Sequence, residues 1–327
     1  MWFFNQMCTS KARLDDKTVV ITGASDGIGK ETARDLYARG ARVILACRDM
    51  EKTNKAVEDI KNNPPSRITK DEYKTNVGEL VIYHLDLRSL KSVRDCAKNL
   101  LTYETTINIL INNAGVCACP YEKTTDGNEL TLQVNHLGHF LLTLLLLPKM
   151  KLSPNCRIIN ISSITHIFGD INFDDINLEK SYSPLMSYAQ SKLANILFTK
   201  ALARRLKEAN IYGITVYSLH PGLVPTGITR CTDYTLFPGA NYFWYICTRL
   251  FCNTVEQGAQ TTIYCSVDEQ IANESGLYYY NCRVSTPYRK ANNPEYVDKL
   301  WDASCRLLHL EPEENFNTFL ETVSKTL

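Results

Sequence analysis

Short runs of apolar, often β-branched residues alternate along the chain with longer segments in which apolar residues recur every three or four positions. The first pattern is typical of buried strands and the second of amphipathic helices. The predicted strands are 17–22, 41–47, 80–85, 107–111, 157–161, 211–219 and 276–280. The predicted helices are 29–39, 50–62, 89–104, 125–148 and 184–209. Repeated strand–helix units predict an α/β fold, with one doubly wound parallel sheet covered by helices on both faces.

No repeat, low-complexity tract or linker divides the sequence, so we expect residues 1–327 to form a single domain. The polar stretch at about 62–79 is predicted to be a loop insertion on the surface. The first four residues are apolar but too few to span a bilayer, and the apolar run 140–148 is interpreted as part of a buried helix. We therefore expect a cytoplasmic protein with no transmembrane span, and contact with a membrane surface stays open.

Charge and cysteine usage narrow the function classes. The 36 basic residues nearly balance the 35 acidic ones, and a net charge of +1 gives no indication of a nucleic-acid partner. The 12 cysteines include no C-x-x-C pair and have no histidine at zinc spacing, so we expect reduced thiols and no metal site. The histidines also lack ligand spacing, and we expect none of them to be catalytic.

A glycine-rich turn lies between the first predicted strand and the first predicted helix. Its spacing, G-x-x-x-G-x-G, departs from the common dinucleotide fingerprint G-x-G-x-x-G, and a plain glycine-rich turn is the alternative interpretation. The first glycine would permit a tight turn. The other two, which have no side chains, would let a pyrophosphate approach the positive end of the helix. The predicted cofactor contacts of this turn are Gly23, Ser25, Asp26, Gly27, Ile28 and Gly29.

The end of the second predicted strand bears on the choice between NAD and NADP. NAD sites normally place a carboxylate there to bind the ribose hydroxyls, whereas this chain has Cys47 followed by Arg48. A guanidinium can pair with a 2′-phosphate, which predicts NADP(H), and plain surface charge at Arg48 or Lys30 is the alternative. After the third strand, Asp86 and Leu87 are the candidate adenine contacts, with helix capping by Asp86 as the alternative.

Candidate catalytic residues follow later in the chain. Tyr188 and Lys192 lie one helical turn apart, and Ser163 precedes them. A phenol with a pKa of about 10 is a poor base near neutrality. Lys192, on the same face of the helix, can supply the positive charge that favours phenolate. A Y-x-x-x-K motif is uninformative alone, but downstream of a serine and a glycine turn it indicates hydride chemistry on an alcohol or carbonyl.

These motifs, together with the sequence NNAG at 112–115, Asn135 and the Pro-Gly pair at 221–222, resemble the short-chain dehydrogenase/reductase family over residues from about 16 to 282. The segments that resemble its retinol dehydrogenase branch are 22–33, 46–49, 125–127, 133–140, 191–195, 256–261 and 300–302. The resemblance implies a Rossmann-type fold and an oxidoreductase that uses NADP(H).

The resemblance also implies roles for individual residues. Tyr188 would be the general acid in reduction and the base in oxidation, and Ser163, with Ser162 as the alternative, would hydrogen-bond the reacting oxygen. Lys192 would also hold the nicotinamide ribose, and Asn135 would anchor a water for proton exchange. Besides the glycine turn, the implied cofactor contacts are Arg48, Asp86, Leu87, Asn113, Ala114, Gly115, Tyr188, Lys192, Pro221, Gly222, Val224 and Thr226.

The segment at about 226–254 is rich in aromatic residues and is expected to be a helical lid over the substrate. Such a lid suits a long apolar alcohol or carbonyl, most of all a retinoid or similar isoprenoid, and packing of aromatic helices on the core is the alternative. A broad NADPH carbonyl or steroid reductase and a non-catalytic dinucleotide-binding scaffold are the rival functions. The sequence leaves a homodimer open.

Overall fold

The computed structural model describes residues 6–224, 227–235, 239, 254–311, 313 and 315–327. Within these ranges, eight strands form one sheet in the order β3-β2-β1-β4-β5-β6-β7-β8. The first seven strands are parallel, and β8 runs antiparallel to β7. The strands are β1 Thr18–Thr22, β2 Arg42–Cys47, β3 Glu79–His84, β4 Ile109–Asn112, β5 Cys156–Ile161, β6 Ile214–His220, β7 Leu277–Tyr280 and β8 Arg283–Ser285.

Helices connect most of the parallel strands, as right-handed crossover units require. They are α1 Gly27–Ala38, α2 Met50–Asn62, α3 Lys70–Thr75, α4 Leu90–Tyr103, α5 Leu130–Met150, α6 Pro184–Glu208, α7 Thr232–Thr235, α8 Val255–Val267, α9 Pro294–Leu307 and α10 Phe316–Ser324. Short 3-10 turns cover Ile164–Phe168, Gly227–Cys231 and Arg289–Asn292.

Each face of the sheet has its own apolar layer, because alternate residues of a strand point to opposite sides. In β1, Val20 packs into the layer formed with α4, α5, α6, α9 and α10. Its neighbours Val19 and Ile21 pack into the opposite layer, formed with α1, α2 and α8. The doubly wound sheet with helices on both faces, predicted from the sequence, is confirmed.

The direction in which the chain adds strands reverses at β1. Strands β2 and β3 lie on one side of β1, and β4 to β7 lie on the other. In open sheets of this kind, ligands bind in the crevice outside the carboxyl ends of the strands at the reversal. The residues that end β1, β4, β5 and β6 there are Thr22, Asn112, Ile161 and His220.

The most apolar helix, α5, lies inside the molecule. Among the described residues it is the one helix long and apolar enough to cross a membrane, and its apolar stretch is fully buried. One turn, Gln133–Leu137, is a π-helix, which widens α5 where it passes the crevice. Such π turns often occur at functional sites.

Two regions differ in detail from the sequence predictions. The segment 62–79, expected to be a surface loop, is largely exposed but contains α3, which begins with a reciprocal capping box between Thr69 and Glu72. The helix predicted from residue 125 begins only at Leu130, because Glu129 pairs with Lys123 in an isolated β-bridge and its carboxylate caps the helix.

The carboxyl-terminal part was not predicted beyond one strand. It adds β8 and the helices α8, α9 and α10. Helices α9 and α10 complete an aromatic cluster in which Trp301 packs edge-on against Phe140 and near Phe319. This cluster covers the outer side of α5, so the tail contributes to the core of the sheet's first face.

Candidate active site

A cleft of about 1140 Å³ opens at the carboxyl ends of the strands, where the strand order reverses. It extends from the turn after β1 to the 3-10 turn at Gly227–Cys231. The predicted site residues that line it are Gly23, Ser25, Asp26, Gly27, Ile28, Gly29, Arg48, Asp86, Leu87, Asn113, Ala114, Gly115, Ser163, Tyr188, Lys192, Pro221, Gly222 and Val224. Asn135 lies behind this lining, and Thr226 lies outside the described residues.

The glycine turn closes against the loop that follows β4. Gly23 has φ +67°, and a Cβ built there would lie 2.9 Å from both Cα and Cβ of Ala114. A Cβ at Gly29 would lie 2.5 Å from the side-chain nitrogen of Asn113. Glycine is therefore required at both positions, and the space left over the start of α1 is open to an anion.

Thr22, the last residue of β1, joins this turn to the β4 loop. Its hydroxyl accepts hydrogen bonds from the backbone N–H of Asn113 (2.9 Å) and of Ala114 (3.0 Å). The side-chain amide of Asn113 donates to the carbonyls of Thr22 (2.8 Å) and Gly23 (3.3 Å). The Asn113 side chain thus holds the glycine turn in place at the wall of the cleft.

Buried His139 extends this network to Asn135. Its Nε2 lies 2.8 Å from the Thr22 hydroxyl, and its Nδ1 lies 3.1 Å from the Asn135 carbonyl. Since the Thr22 oxygen already accepts two N–H groups, its proton points to Nε2, and Nδ1–H donates to Asn135. Burial lowers the pKa of His139 to about 3, so the ring is neutral. The sequence reasoning missed this role, although the four-residue spacing from Asn135 on one helix was visible.

The Asn135 side chain lies in the π turn of α5 and is fully hydrogen-bonded. Its Oδ1 accepts from Val116 N–H (2.8 Å), and its Nδ2 donates to the Val116 carbonyl and to the Ser191 hydroxyl, both at 2.9 Å. Ser191 in turn donates to the carbonyl of Tyr188 (2.8 Å). Asn135 therefore connects the β4 loop to the helix that carries the tyrosine, and a water would have to bind its backbone carbonyl.

Tyr188 and Lys192 are both buried where α6 faces β5. The Lys192 ammonium lies 5.5 Å from the centre of the Tyr188 ring and donates to the Ile161 carbonyl (3.1 Å). Burial lowers the pKa of Lys192 to about 8, so the amine is mostly charged at neutral pH. The pKa of Tyr188 is raised above its usual value. The main cause is burial, the nearby Cys117 thiol adds to it, and a hydrogen bond with Ser163 offsets part of the rise.

Two adjacent serines end β5, and the structure gives them different partners. The Ser162 hydroxyl donates to the carbonyl of Lys192 (2.7 Å), which ties β5 to α6. The Ser163 hydroxyl lies beside the Tyr188 phenol and begins the 3-10 turn Ile164–Phe168. Geometry thus favours Ser163, the predicted serine, over Ser162.

His166 fixes the backbone of Ser163. Its Nε2 accepts from the Tyr288 N–H (3.1 Å), which leaves Nδ1–H to donate to the Ser163 carbonyl (2.6 Å). Burial lowers the pKa of His166, which keeps this neutral form. The loop before α9 therefore helps to position the serine, a link that no sequence motif indicated.

The other end of the cleft contains the basic residues that were considered as contacts of the adenosine part of the cofactor. Arg48 is exposed at its rim, whereas Lys30 pairs with Asp59 (3.1 Å) and does not line the cleft. Lys52, which the sequence reasoning missed, does line it and donates to Asp26 (2.6 Å).

Asp86 is not the cap of α4. The hydroxyl of Ser89 accepts from Ser92 N–H and caps that helix, while Asp86 Oδ1 accepts from Arg88 N–H (3.0 Å). The capping alternative for Asp86 is therefore excluded, and its carboxylate stays at the cleft wall beside Leu87.

The turn at Pro221, Gly222 and Val224 lies against the start of α8. A Cβ at Gly258 would collide with the side chain of Val224, so a glycine is needed for this close approach. Leu223 of the same turn is exposed and lines the cleft.

Comparison with known proteins decides the family. The short chain dehydrogenase family model matches residues 17–234. Human retinol dehydrogenase 11 is 44% identical over 304 residues, which cover 93% of this chain and 89% of that protein. Mouse retinol dehydrogenase 12 is 43% identical over 312 residues, which cover 95% and 92%. The chain belongs to the short-chain dehydrogenase family.

Solved structures agree with this assignment. A crystal structure of an uncharacterized protein from Mycobacterium paratuberculosis superposes on this short-chain dehydrogenase with a TM-score of 0.72 at 32% identity, and the match covers 93% of this chain and 98% of that one. The resemblance inferred from the sequence, including its retinol dehydrogenase branch, is confirmed, and the protein is an oxidoreductase of that family.

The remaining sequence expectations concern metals and thiols. Among the described residues of this short-chain dehydrogenase, no group of three or more His, Cys, Asp or Glu side chains could hold a metal ion. All ten cysteines in those ranges are free thiols.

Proposed function

We propose that this short-chain dehydrogenase interconverts an apolar alcohol and its aldehyde or ketone with NADP(H), and that a retinoid or similar isoprenoid is its substrate. In this proposal residues 1–327 act as one oxidoreductase domain. The observation that carries the substrate class is the apolar mouth of the cleft. Phe168, Leu185, Met186 and Leu223 line it with exposed fractions of 67%, 52%, 42% and 47%.

Large exposed apolar side chains grouped at one opening usually mark a ligand or partner site. In this chain the exposed apolar side chains line the same cleft as Tyr188, and Val134 and Ile228 add further apolar surface to its wall. The names of the relatives support the same class, since the human and mouse proteins are called retinol dehydrogenases. The aromatic segment at 226–254 would extend this wall, although residues 225–226, 236–238 and 240–253 lie outside the described ranges.

The cofactor proposal rests on fit and charge. The open space over α1 suits a pyrophosphate, and Asp86 and Leu87 line the wall where an adenine would lie. Arg48, with Lys52 nearby, would bind a 2′-phosphate, and β2 ends at Cys47, where NAD sites normally place a carboxylate. When bound, NADPH would supply the hydride. Gly115, Lys192 and the turn at Pro221–Gly222 would hold its nicotinamide ribose end.

Tyr188 would transfer the proton. Because burial raises the pKa of this phenol, it is protonated at neutral pH and is suited to act as the acid that protonates the carbonyl oxygen in reduction. Ser163 would donate a second hydrogen bond to the same oxygen, which stabilises the negative charge that develops there. The Lys192 ammonium would favour the resulting phenolate, and a water on the Asn135 carbonyl would return a proton from solvent.

A turnover screen tests this proposal. Purified protein is incubated with NADPH or NADH and one of three carbonyls: all-trans-retinal, farnesal or a steroid ketone. We expect reduction of retinal or farnesal, faster with NADPH than with NADH. Preferred turnover of the steroid ketone would favour the broad carbonyl reductase. An absence of turnover in both directions, despite NADPH binding, would favour the scaffold.

A further inference from the structure

Two thiols meet at the substrate side of the cleft. Cys119 lies in the loop after β4, and Cys231 ends the 3-10 turn Gly227–Cys231. Their sulfur atoms are 2.8 Å apart, and both residues line the cleft. A bonded pair would be about 2.05 Å apart, so these are two free thiols in direct contact.

The segments that carry the two thiols are held together independently of the sulfurs. The Thr235 hydroxyl lies 2.8 Å from the carbonyl of Ala118 and 3.2 Å from that of Cys231, so it bridges both segments. The Tyr182 hydroxyl donates to the carbonyl of Cys119 (2.6 Å) and fixes the loop from its other side. Little rearrangement is therefore needed to bring the sulfurs to bonding distance.

We propose that Cys119 and Cys231 are a modification site, a dithiol that a hydroperoxide converts reversibly to a disulfide. Cys231 is the more exposed of the two, so its thiolate meets the oxidant first. It attacks one peroxide oxygen, the O–O bond breaks, and a sulfenic acid and water (or an alcohol) form. Cys119 then attacks the sulfenic sulfur, and its proton leaves with the hydroxyl group as water.

In total, two thiols and one hydroperoxide give one disulfide, one water and one alcohol. With hydrogen peroxide, the alcohol is replaced by a second water. The two sulfurs lose two electrons, and the peroxide oxygens gain them. A dithiol such as dithiothreitol reverses the reaction by thiol–disulfide exchange.

The disulfide would act on the substrate side of the site. Cys117, two residues from Cys119, packs with Ala118 against Tyr188 and near Ile228. A covalent bond would fasten the turn at Gly227–Cys231 to this loop and restrict the opening beside the phenol. The glycine turn and Asp86, the proposed contacts of the pyrophosphate and the adenine, lie on the other side of β4 in the sheet order, so cofactor binding should change much less than substrate turnover.

The first test is chemical and independent of the enzyme's activity. The reduced protein, residues 1–327, is treated with hydrogen peroxide, digested without reductant, and analysed by mass spectrometry. We expect a Cys119–Cys231 cross-linked peptide that has lost two hydrogens and that dithiothreitol splits. Oxidation of these two residues only to sulfinic or sulfonic acids, or their cross-linking to other cysteines, would overturn the proposal.

The second test measures the consequence, and this part rests on the proposed function. Oxidation should lower kcat/KM for a long aldehyde by on the order of tenfold to a hundredfold, because a restricted loop misplaces the substrate. Cys119→Ser and Cys231→Ser should each remove this fall. Cys282→Ser, which changes another partly exposed thiol, should keep it.

NADPH binding, followed by its fluorescence, should change much less on oxidation than kcat/KM does. A cross-link without any fall in kcat/KM would overturn the proposed effect on the substrate side. If no aldehyde is turned over in either state, the proposed function fails, while the peptide map still decides whether the dithiol forms.

Discussion

The two ends of the cleft are built differently. At the cofactor end, glycine positions without space for a Cβ and a hydrogen-bond network from Thr22 through His139 to Asn135 fix the backbone. At the substrate end, the wall is apolar, and several large side chains are partly exposed to solvent. Backbone hydrogen bonds specify one shape, whereas apolar contact is non-directional and accepts ligands by size.

This difference explains why the two ends were unequally visible in the sequence. A tight approach of backbones requires glycine, and glycine spacing can be read directly, so the turn at Gly23 to Gly29 was found. An apolar wall uses the same residue types as a core, so Phe168 and Leu185 could not be told from buried positions. The predicted lid depended on residues such as Phe243 and Trp244, which lie outside the described ranges.

The largest expected effect lies at the junction of the two ends. Tyr188→Phe should lower kcat by at least about 10²–10⁴-fold, because the phenol proton is the one the reaction uses. NADPH binding should change little, since the ring itself is kept. The control is Tyr212→Phe, at a tyrosine that is 76% exposed and does not line the cleft. Near-normal turnover by the Tyr188 variant would reject the assignment of the acid.

The second prediction challenges the rigidity of the cofactor end. Gly29→Ala places a methyl group 2.5 Å from the Asn113 side-chain nitrogen and 2.7 Å from the Gly23 carbonyl oxygen, so the glycine turn must shift to accept it. Overpacking of about 1–3 kcal/mol should weaken NADPH binding by roughly tenfold to a hundredfold. Gly127→Ala is the control: its φ of +84° strains alanine and lowers stability, but a Cβ there meets no atom within 4 Å and the residue lies outside the cleft, so NADPH affinity should not change. Equal affinities in a titration of both variants would contradict a rigid cradle.

The third prediction separates the cofactors. Arg48→Ala should weaken NADP(H) by about ten- to a hundredfold, the value of a charge-assisted pair of roughly 1.5–3 kcal/mol, and should affect NAD(H) much less. Lys30→Ala should leave both affinities unchanged, since Lys30 pairs with Asp59. Calorimetric titration of the unchanged protein and the two variants with the two cofactors gives the six affinities needed. If Arg48→Ala weakened NADP(H) and NAD(H) equally, Arg48 would not bind the 2′-phosphate.

The smallest effect concerns the substrate end. Each added methylene in an aliphatic aldehyde should raise kcat/KM about fourfold until the pocket is filled, since burial of one CH₂ is worth about 0.8 kcal/mol. Phe168→Ala or Met186→Ser should flatten this rise. Leu152→Ala, at an 84% exposed residue that does not line the cleft, should not. A flat dependence in the unchanged protein would mean that the apolar mouth does not bind the substrate.

The sequence predicted the sheet well because the central parallel strands are buried on both faces and form continuous apolar runs. It did not predict α9 and α10. These two helices pack against α5 and follow each other without an intervening strand, so they lack the strand–helix alternation from which the other helices were predicted. The sequence also did not predict which side chains in the site are hydrogen-bonded to each other. The positioning roles of His139 and His166 depend on contacts with Thr22 and Tyr288, which are distant in sequence. Ser163, in contrast, was already preferred to Ser162 through the family resemblance.

Transfer of an isotope label tests the central claim most directly. The protein is incubated with all-trans-retinal and NADPH that carries deuterium at both C4 positions, and the alcohol product is analysed by mass spectrometry. We expect retinol that contains one deuterium on the carbon that bears the hydroxyl group, and almost none from Tyr188→Phe. Retinol without the label, or no alcohol from any apolar aldehyde while NADPH remains bound, would contradict a hydride-transferring oxidoreductase at this site.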